Sequence, residues 1–206
     1  MSSDPRIDSL LDEANQLFLK KRYDEAVHFY EEVLDTDPGN LSAINNAGYA
    51  LSKTGSFEKA LSYYGKGLEL YPGDVSITVN MISCMRKLGD LDGALGRCEA
   101  LLVDMPDYNA VLYHKERILY SMSRFDESVI CCDRILAVYP DNWEVIYDRA
   151  RSLARLDRIP DCTETLRRAI GMHPGAAAKA LGDKAFENAC KDSTFQKMLV
   201  DQPDSD

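Results

Sequence analysis

Apolar residues recur at helical spacing in two consecutive blocks between residues 41 and 72. In the first block, Ile44, Ala47, Gly48 and Leu51 are spaced so that their side chains lie on one face of an α-helix. Thr54-Gly55-Ser56 interrupts this pattern, and Gly is a favoured residue just past a helix end. The second block then contains Phe57, Ala60, Leu61, Tyr64, Gly67 and Leu68. The pattern predicts two antiparallel helices joined by a tight turn, which is a helical hairpin.

The same pattern occurs five times along the chain, with a period of 34 residues. Each unit ends at a proline, which cannot continue a helix, and these residues are Pro38, Pro72, Pro106, Pro140 and Pro174. Small residues recur at one position of the second helix, where two helices would cross closely, at Ala26, Ala60, Ala94, Ser128 and Cys162. A unit of this length cannot bury its own apolar face, so the units must stack on one another. The sequence therefore predicts an all-α solenoid of five antiparallel helix pairs.

The repeating unit resembles the tetratricopeptide repeat (TPR). Tyr23-Asp24-Glu25-Ala26 and Phe57-Glu58-Lys59-Ala60 carry the resemblance at the start of the second helix, and Asp37-Pro38 and Tyr71-Pro72 carry it at the end. The resemblance covers residues 7–174. It implies a right-handed superhelical TPR solenoid, in which the first helix of each pair lines a concave groove and the second helix lies outside.

The repeats and their flanking segments divide the chain into four parts. Residues 1–6 are an N-terminal extension, and residues 201–206 are a flexible polar tail. Residues 175–200 are expected to form helices that cap the last repeat, because a terminal repeat otherwise exposes an apolar end. The five predicted units are 7–40, 41–74, 75–108, 109–142 and 143–174.

The acidic composition excludes two classes of partner. The chain has 24 Lys and Arg against 34 Asp and Glu, a net charge of −10. Proteins bind nucleic acids and anionic membranes through clusters of basic residues, so neither is an expected partner of this acidic chain. No apolar run is long enough to span a bilayer, and the N-terminus lacks the pattern of a signal peptide. We therefore expect a cytoplasmic protein.

The six cysteines show no metal-binding pattern, because none forms a C-x-x-C pair and no histidine lies at ligand spacing from such a pair. Cys98 and Cys132 stand where the first two repeats carry Tyr30 and Tyr64, which predicts thiols packed in the core, with metal or redox use as the alternative. No phosphate-binding loop or nucleophile motif is present. We expect no metal, no cofactor and no enzymatic activity.

The TPR resemblance implies that fixed positions of the first helices bind a peptide. Asn46 and Asn80 occupy the same position in adjacent repeats, and an amide can both donate to and accept from an extended peptide backbone. His114 is the one histidine expected to face the groove. The full candidate set is Asn15, Asn46, Tyr49, Lys53, Asn80, Arg86, Lys87, Tyr113, His114, Arg117, Tyr147 and Arg151.

The middle of this predicted groove is cationic although the chain is acidic. Lys53, Arg86, Lys87 and Arg117 have no acidic counterpart among the groove positions of repeats 2 to 4, while the acidic residues concentrate on the second helices. Such a distribution would steer an acidic peptide or a free carboxylate into the groove.

Glu116 departs from the repeat pattern, because the TPR family has a small residue at this position. A carboxylate at a close helix contact is costly unless it is paired. Arg149 or Lys115 is predicted to form a local ion pair with Glu116. The alternative is that Glu116 faces a ligand.

Two functions remain after these exclusions. The first is a non-catalytic scaffold that binds a peptide segment of a partner protein, possibly an acidic one, in the groove. The second is a structural or assembly protein that associates with itself through its convex face or the ends of the solenoid. The sequence predicts a monomer or a weak homo-oligomer and does not identify the partner.

Overall fold

The computed structural model describes residues 4–200, and helices dominate this part of the chain. No β-strand occurs within these residues, which confirms the all-α prediction. Two short 3-10 turns, Lys184–Phe186 and Ala189–Lys191, lie between the last two helices. The α-helices of the described residues are α1 (Pro5–Leu19), α2 (Tyr23–Thr36), α3 (Leu41–Lys53), α4 (Phe57–Leu70), α5 (Val75–Leu88), α6 (Leu91–Asp104), α7 (Asn109–Ser121), α8 (Phe125–Val138), α9 (Trp143–Arg155), α10 (Ile159–Met172), α11 (Gly175–Leu181) and α12 (Ser193–Val200).

Helix α1 starts earlier than the first predicted repeat. It includes Pro5 and Arg6, which the sequence-based division leaves in the N-terminal extension. Asp4 caps the helix by accepting a hydrogen bond from the backbone N–H of Arg6 at 2.9 Å, and Pro5 suits the first turn because its missing N–H is not needed there. The predicted tail, 201–206, lies outside the described residues.

The helices of the described residues form two compact units, which divide between Leu101 and Leu102. In the first unit α1 packs on α2 and α3 on α4, and in the second unit α7 packs on α8 and α9 on α10. Successive pairs also pack on each other, through α2 and α3, α4 and α5, and α8 and α9. Within the described residues, no helix is long and apolar enough to cross a membrane.

One residue in each turn between paired helices has a left-handed backbone conformation. Glycine adopts this conformation without steric cost, whereas other residues are destabilised by about 1 kcal/mol. The turn nevertheless keeps its geometry in all five pairs, at Lys21 (φ 60°), Gly55 (φ 82°), Gly89 (φ 86°), Ser123 (φ 60°) and Asp157 (φ 58°). These positions are 34 residues apart, so the structure repeats with the same period as the sequence.

A polar residue shortly after a stop proline caps the following first helix in three repeats. Asn40, Asp74 and Asn142 each accept a hydrogen bond from the backbone N–H three residues later, at 3.0, 2.8 and 3.2 Å. Such a cap satisfies one of the N–H groups that a helix start leaves without an intrahelical partner. Tyr108 holds the equivalent position before α7 and provides no side-chain cap.

The core of the repeats is built on the positions that the sequence predicts. Tyr64 is fully buried and lies so close to α3 that a Cβ atom at Gly48 would be 2.6 Å from its ring. Glycine at position 48 therefore permits the close approach of α3 and α4. Cys98 and Cys132, which replace the tyrosine in later repeats, are also fully buried, as predicted. All six cysteines lie within the described residues and are thiols rather than disulfides.

Residues 175–200 pack against α9 and α10 of the second unit. Phe186 and Phe195 are fully buried in the same cluster as the apolar side chains of these two helices. The ring of Phe186 lies edge-on to Tyr147 of α9, with 5.6 Å between the ring centroids, and its centroid is 5.7 Å from that of Phe195. The segment thus covers the apolar end of the last helix pair.

Candidate peptide-binding faces

Four asparagines and a tyrosine hydroxyl form a hydrogen-bonded row across α1, α3 and α5 of the first unit. We call Asn15, Asn45, Asn46 and Asn80 the amide row. Asn80 Nδ2 donates to Asn45 Oδ1 at 2.9 Å, Asn45 Nδ2 lies 3.5 Å from Asn46 Oδ1, and Asn46 Nδ2 donates to Asn15 Oδ1 at 3.3 Å. The hydroxyl of Tyr30 donates to the same Asn15 oxygen at 2.7 Å. The row therefore fixes the orientation of the amides on three successive first helices.

The amide row differs in detail from the sequence-based prediction. Asn46 and Asn80 occupy equivalent positions, but Asn46 bonds to Asn15 whereas Asn80 bonds to Asn45. The repeat pattern did not single out Asn45, because this position holds Val79 in the next repeat. Each amide carries two N–H donors, so Asn46 and Asn80 each keep a second donor for a ligand.

An aromatic and cationic group borders the amide row on α1 and α3. The ring of Tyr49 is 37% exposed and stacks on Phe18 with 5.4 Å between centroids. Lys53 places its ammonium 4.6 Å from the centroid of the Tyr49 ring, within the range of a cation–π interaction. Tyr49 and Lys53 are thus brought together, as the candidate set requires.

The remaining candidates of the first unit lie on α5. Arg86 is half-buried and Lys87 is exposed. Lys87 follows Lys53 by one repeat period. Among the residues that the structure describes, no acidic side chain lies within salt-bridge distance of Lys53 or Lys87. These two ammonium groups consequently give this face a local positive charge.

In the second unit, acidic side chains partly neutralise the predicted cationic face. Arg117 lies over the ring of Tyr113, with 4.2 Å from the guanidinium carbon to the centroid, and its NH2 group is 4.0 Å from Asp148 Oδ2. Arg151 NH1 donates to the other Asp148 oxygen at 3.4 Å. Burial raises the pKa of Asp148, an effect that Arg151 and Arg117 oppose. The sequence-based comparison is limited to repeats 2 to 4, and the acidic neighbour of Arg117 is Asp148 of repeat 5, on the adjacent first helix.

Tyr147, which the sequence predicts to face a ligand, has a side chain that is 0% exposed in this structure. The cap covers it, and its hydroxyl donates to Asp183 Oδ2 at 3.1 Å. Arg151 Nε contacts the same carboxylate oxygen at 2.8 Å, and the guanidinium of Arg151 lies over the ring of Tyr120. This contact could not be predicted from the repeat pattern, since Asp183 lies beyond the repeats.

Glu116 is not ion-paired with Arg149, which bonds elsewhere, and its buried side chain is not exposed to a ligand. Its side chain is 2% exposed, and Oε1 accepts a hydrogen bond from Ser128 Oγ at 3.0 Å. Ser128 Oγ lies 2.8 Å from Ser152 Oγ, while Arg149 pairs with Asp133 at 2.7 Å. Glu116 Oε2 has no hydrogen-bond partner among the described residues.

The electrostatic surroundings of Glu116 favour its neutral form. Burial raises the pKa of Glu116 to about 7, and the nearby charge of Asp148 adds to the shift. The hydrogen bond from Ser128 and the charges of Arg117 and Arg151 act in the opposite direction. Glu116 is therefore a buried acid that titrates near neutral pH.

His114, the one histidine among the candidates, is half-buried on α7 beside Tyr113. Within residues 4–200, no group of three or more His, Cys, Asp or Glu side chains is arranged to hold a metal ion. The candidate faces thus consist of amides, aromatic rings and charged side chains, which are groups that can bond a peptide.

Comparison with known proteins agrees with this arrangement. The sequence model described as tetratricopeptide repeat matches residues 12–40 and 41–74. No curated protein sequence matches the chain. Solved structures with the same fold are numerous.

Three of these structures illustrate the likeness. MamA 41-end from Desulfovibrio magneticus RS-1 is 13% identical, with a TM-score of 0.78 over 84% of this chain and 98% of that chain. A tetratricopeptide repeat protein from Parabacteroides merdae is 16% identical, with a TM-score of 0.75 over 97% of this chain and 81% of that chain. YrrB, described as a TPR protein with an unusual peptide-binding site, is 18% identical, with a TM-score of 0.66 over 80% of this chain and 85% of that chain.

The chain therefore has a helical-repeat fold. Residues 12–74 match the repeat in sequence, and the solved structures share its fold.

Proposed function

We propose that the protein is a non-catalytic scaffold that binds an extended segment of a partner protein on the face formed by α1, α3 and α5. The observation that carries the proposal is the amide row, which crosses all three first helices of the first unit. Amide side chains that are already held in place lose little conformational freedom when a ligand binds. A peptide backbone presents the carbonyl groups that the second N–H donors of Asn46 and Asn80 can bond.

An acidic segment fits this face best. Lys53 and Lys87 lie one repeat apart on the same face, and no acidic side chain of the described residues pairs with either. The chain as a whole carries a net charge of −10, so an acidic partner is repelled elsewhere and attracted here. Tyr49 adds an exposed aromatic surface against which an apolar part of the segment can pack.

The proposal places the protein in a reducing compartment, which we take to be the cytoplasm, because its six cysteines are thiols. It requires no cofactor and no nucleic acid. YrrB has a peptide-binding site by its description, and a comparable activity is what we propose for this chain. Self-association is the competing function, and sedimentation over a range of concentrations tests it, because self-association makes the measured mass rise with concentration.

The test compares capture of the partner from the native lysate by immobilised wild-type protein and by the variant Asn46→Ala/Asn80→Ala. We expect the variant to lose at least tenfold in affinity for the captured protein, because two backbone-binding amides at roughly 1 kcal/mol each are removed. Circular dichroism and the thermal midpoint check that the fold survives. Equal capture by both proteins contradicts the proposal.

A charge variant tests the preference for acidic segments separately. Lys53→Gln/Lys87→Gln is expected to weaken binding and to reduce its dependence on salt. The matched control, Lys59→Gln/Lys66→Gln, removes the same charge from exposed positions of α4 and should bind as the wild type does. If both variants weaken binding equally, the effect belongs to net charge and not to this face.

A further inference from the structure

The carboxylate of Asp183 contacts two residues of α9 in the second unit. Asp183 Oδ2 accepts a hydrogen bond from the hydroxyl of Tyr147 at 3.1 Å and contacts Arg151 Nε at 2.8 Å. The hydroxyl belongs to a fully buried side chain, and burial raises the pKa of Tyr147, so the group remains a donor. Two groups of α9 therefore converge on one oxygen atom, the hydroxyl as a hydrogen-bond donor and the guanidinium as the positive member of an ion pair.

The groups around this oxygen are held in position by their own contacts. The guanidinium carbon of Arg151 lies 4.3 Å from the centroid of the Tyr120 ring, and NH1 of Arg151 donates to Asp148. Lys179 places its ammonium 4.1 Å from the centroid of the Tyr147 ring. A rigid guanidinium beside a buried hydroxyl is an arrangement that recognises carboxylates.

Only one oxygen of Asp183, Oδ2, contacts Tyr147 and Arg151. The other oxygen, Oδ1, has a separate role. Oδ1 accepts from the backbone N–H of Ala185 at 2.9 Å and so caps the short turn that follows α11. Phe186, at the end of that turn, is anchored in the core independently. Displacing the Asp183 side chain therefore breaks its bonds to Tyr147, Arg151 and the Ala185 N–H but does not remove Phe186 from the core.

A ligand at this place would meet further positive charge. The side chain of Arg117 is 42% exposed and lies 4.0 Å from Asp148 on the same face. If Asp183 turned away, Arg117, Arg151 and Lys179 would share a single carboxylate, Asp148. The face would then carry an excess of positive charge next to exposed solvent.

We infer that Tyr147 and Arg151 form a carboxylate-binding site which the chain's own Asp183 occupies, and that a carboxylate of an acidic peptide binds by taking its place. This site lies on the second unit, involves none of the amide row, and stands or falls independently of the function proposed above. The peptide competes with an internal ligand, so the intact protein binds it weakly.

The test measures binding of a fluorescein-labelled hexaglutamate peptide by fluorescence anisotropy. Asp183→Asn keeps an oxygen for the cap but replaces the second oxygen with an amide that cannot accept from Tyr147. Asp183→Ser keeps a capping hydroxyl and leaves the place open. Both variants are expected to bind the peptide at least tenfold more tightly than the wild type, because the internal competitor is gone.

Three controls assign the gain to this site. Asp126→Asn removes the same charge from an exposed position on α8 and should bind as the wild type does. Adding Arg151→Gln to Asp183→Asn should abolish the gain. A peptide with an amidated C-terminus distinguishes side-chain carboxylates, for which the gain persists, from a terminal carboxylate, for which it is lost.

Unchanged binding by both Asp183 variants, with circular dichroism showing an intact fold, would overturn the inference. An equal gain with Asp126→Asn would overturn it as well, because net charge alone would then explain the result. Loss of partner capture by the amide-row variant has no bearing on either outcome.

Discussion

Phe186→Ala is expected to lower the free energy of unfolding of the second unit by about 3–5 kcal/mol. The Phe186 ring is 0% exposed and packs on both Tyr147 and Phe195, so its removal leaves a cavity between α9 and α12. A loss of this size is a large fraction of the 5–15 kcal/mol that stabilises a typical domain. Urea unfolding followed by the fluorescence of Trp143, the single tryptophan, measures it.

The matched control for this prediction is Leu181→Ala. Leu181 belongs to the same capping segment but is 62% exposed, so its replacement should change the free energy of unfolding by about 0.5 kcal/mol or less. A loss below roughly 1 kcal/mol for Phe186→Ala would mean that residues 175–200 are not an integral part of the second unit.

Glu116→Gln is expected to change how the stability of the second unit depends on pH. The pKa of Glu116 is about 7 in the folded protein, against an ordinary value of 4.5. Because the folded state binds this proton more tightly, its contribution to stability is complete below about pH 4.5 and is lost as the pH rises through about 7. The pKa difference corresponds to roughly 3 kcal/mol.

The physical reason is that ionised Glu116 has to be kept out of water with a single hydrogen-bond donor, Ser128. Glutamine carries no charge, so the difference in unfolding free energy between variant and wild type should move by about 3 kcal/mol in favour of the variant between pH 4 and pH 8. Urea unfolding at a series of pH values measures this difference.

Glu164→Gln supplies the control, because Glu164 is exposed on α10 and its replacement should leave the pH profile of the wild type unchanged. If Glu116→Gln and the wild type show parallel profiles, Glu116 is not a buried acid with a raised pKa in the folded protein. Subtracting the unfolding free energy of the wild type from that of Glu116→Gln at each pH removes the contribution of all other carboxylates.

Much of the fold can be predicted from the sequence because several independent residue types recur with the same period. The stop prolines, the small residues at helix crossings and the caps at Asn40, Asp74 and Asn142 all recur with it. The left-handed turn is predictable only where glycine marks it. Lys21, Ser123 and Asp157 adopt the same conformation because the packing of the paired helices imposes it.

The candidate site is less predictable, because its contacts depend on which neighbour each side chain meets. Repeat position put Tyr49 and Lys53 in one candidate set, and their side chains meet, but it could not reveal that Asn45 bridges Asn46 and Asn80. Tyr147 has the sequence position of a groove residue, yet the capping segment buries it. No repeat pattern extends into that segment, so sequence periodicity contains no information on what it covers.

The most direct test of peptide binding on the first unit is site-specific photo-cross-linking. A benzophenone amino acid at position 49, which is exposed on α3 beside the amide row, is compared with the same amino acid at position 70, which is exposed on α4. Our account predicts that the partner cross-links from position 49 and not from position 70. Cross-linking from position 70 alone would place the interface on the second helices and contradict the proposed function.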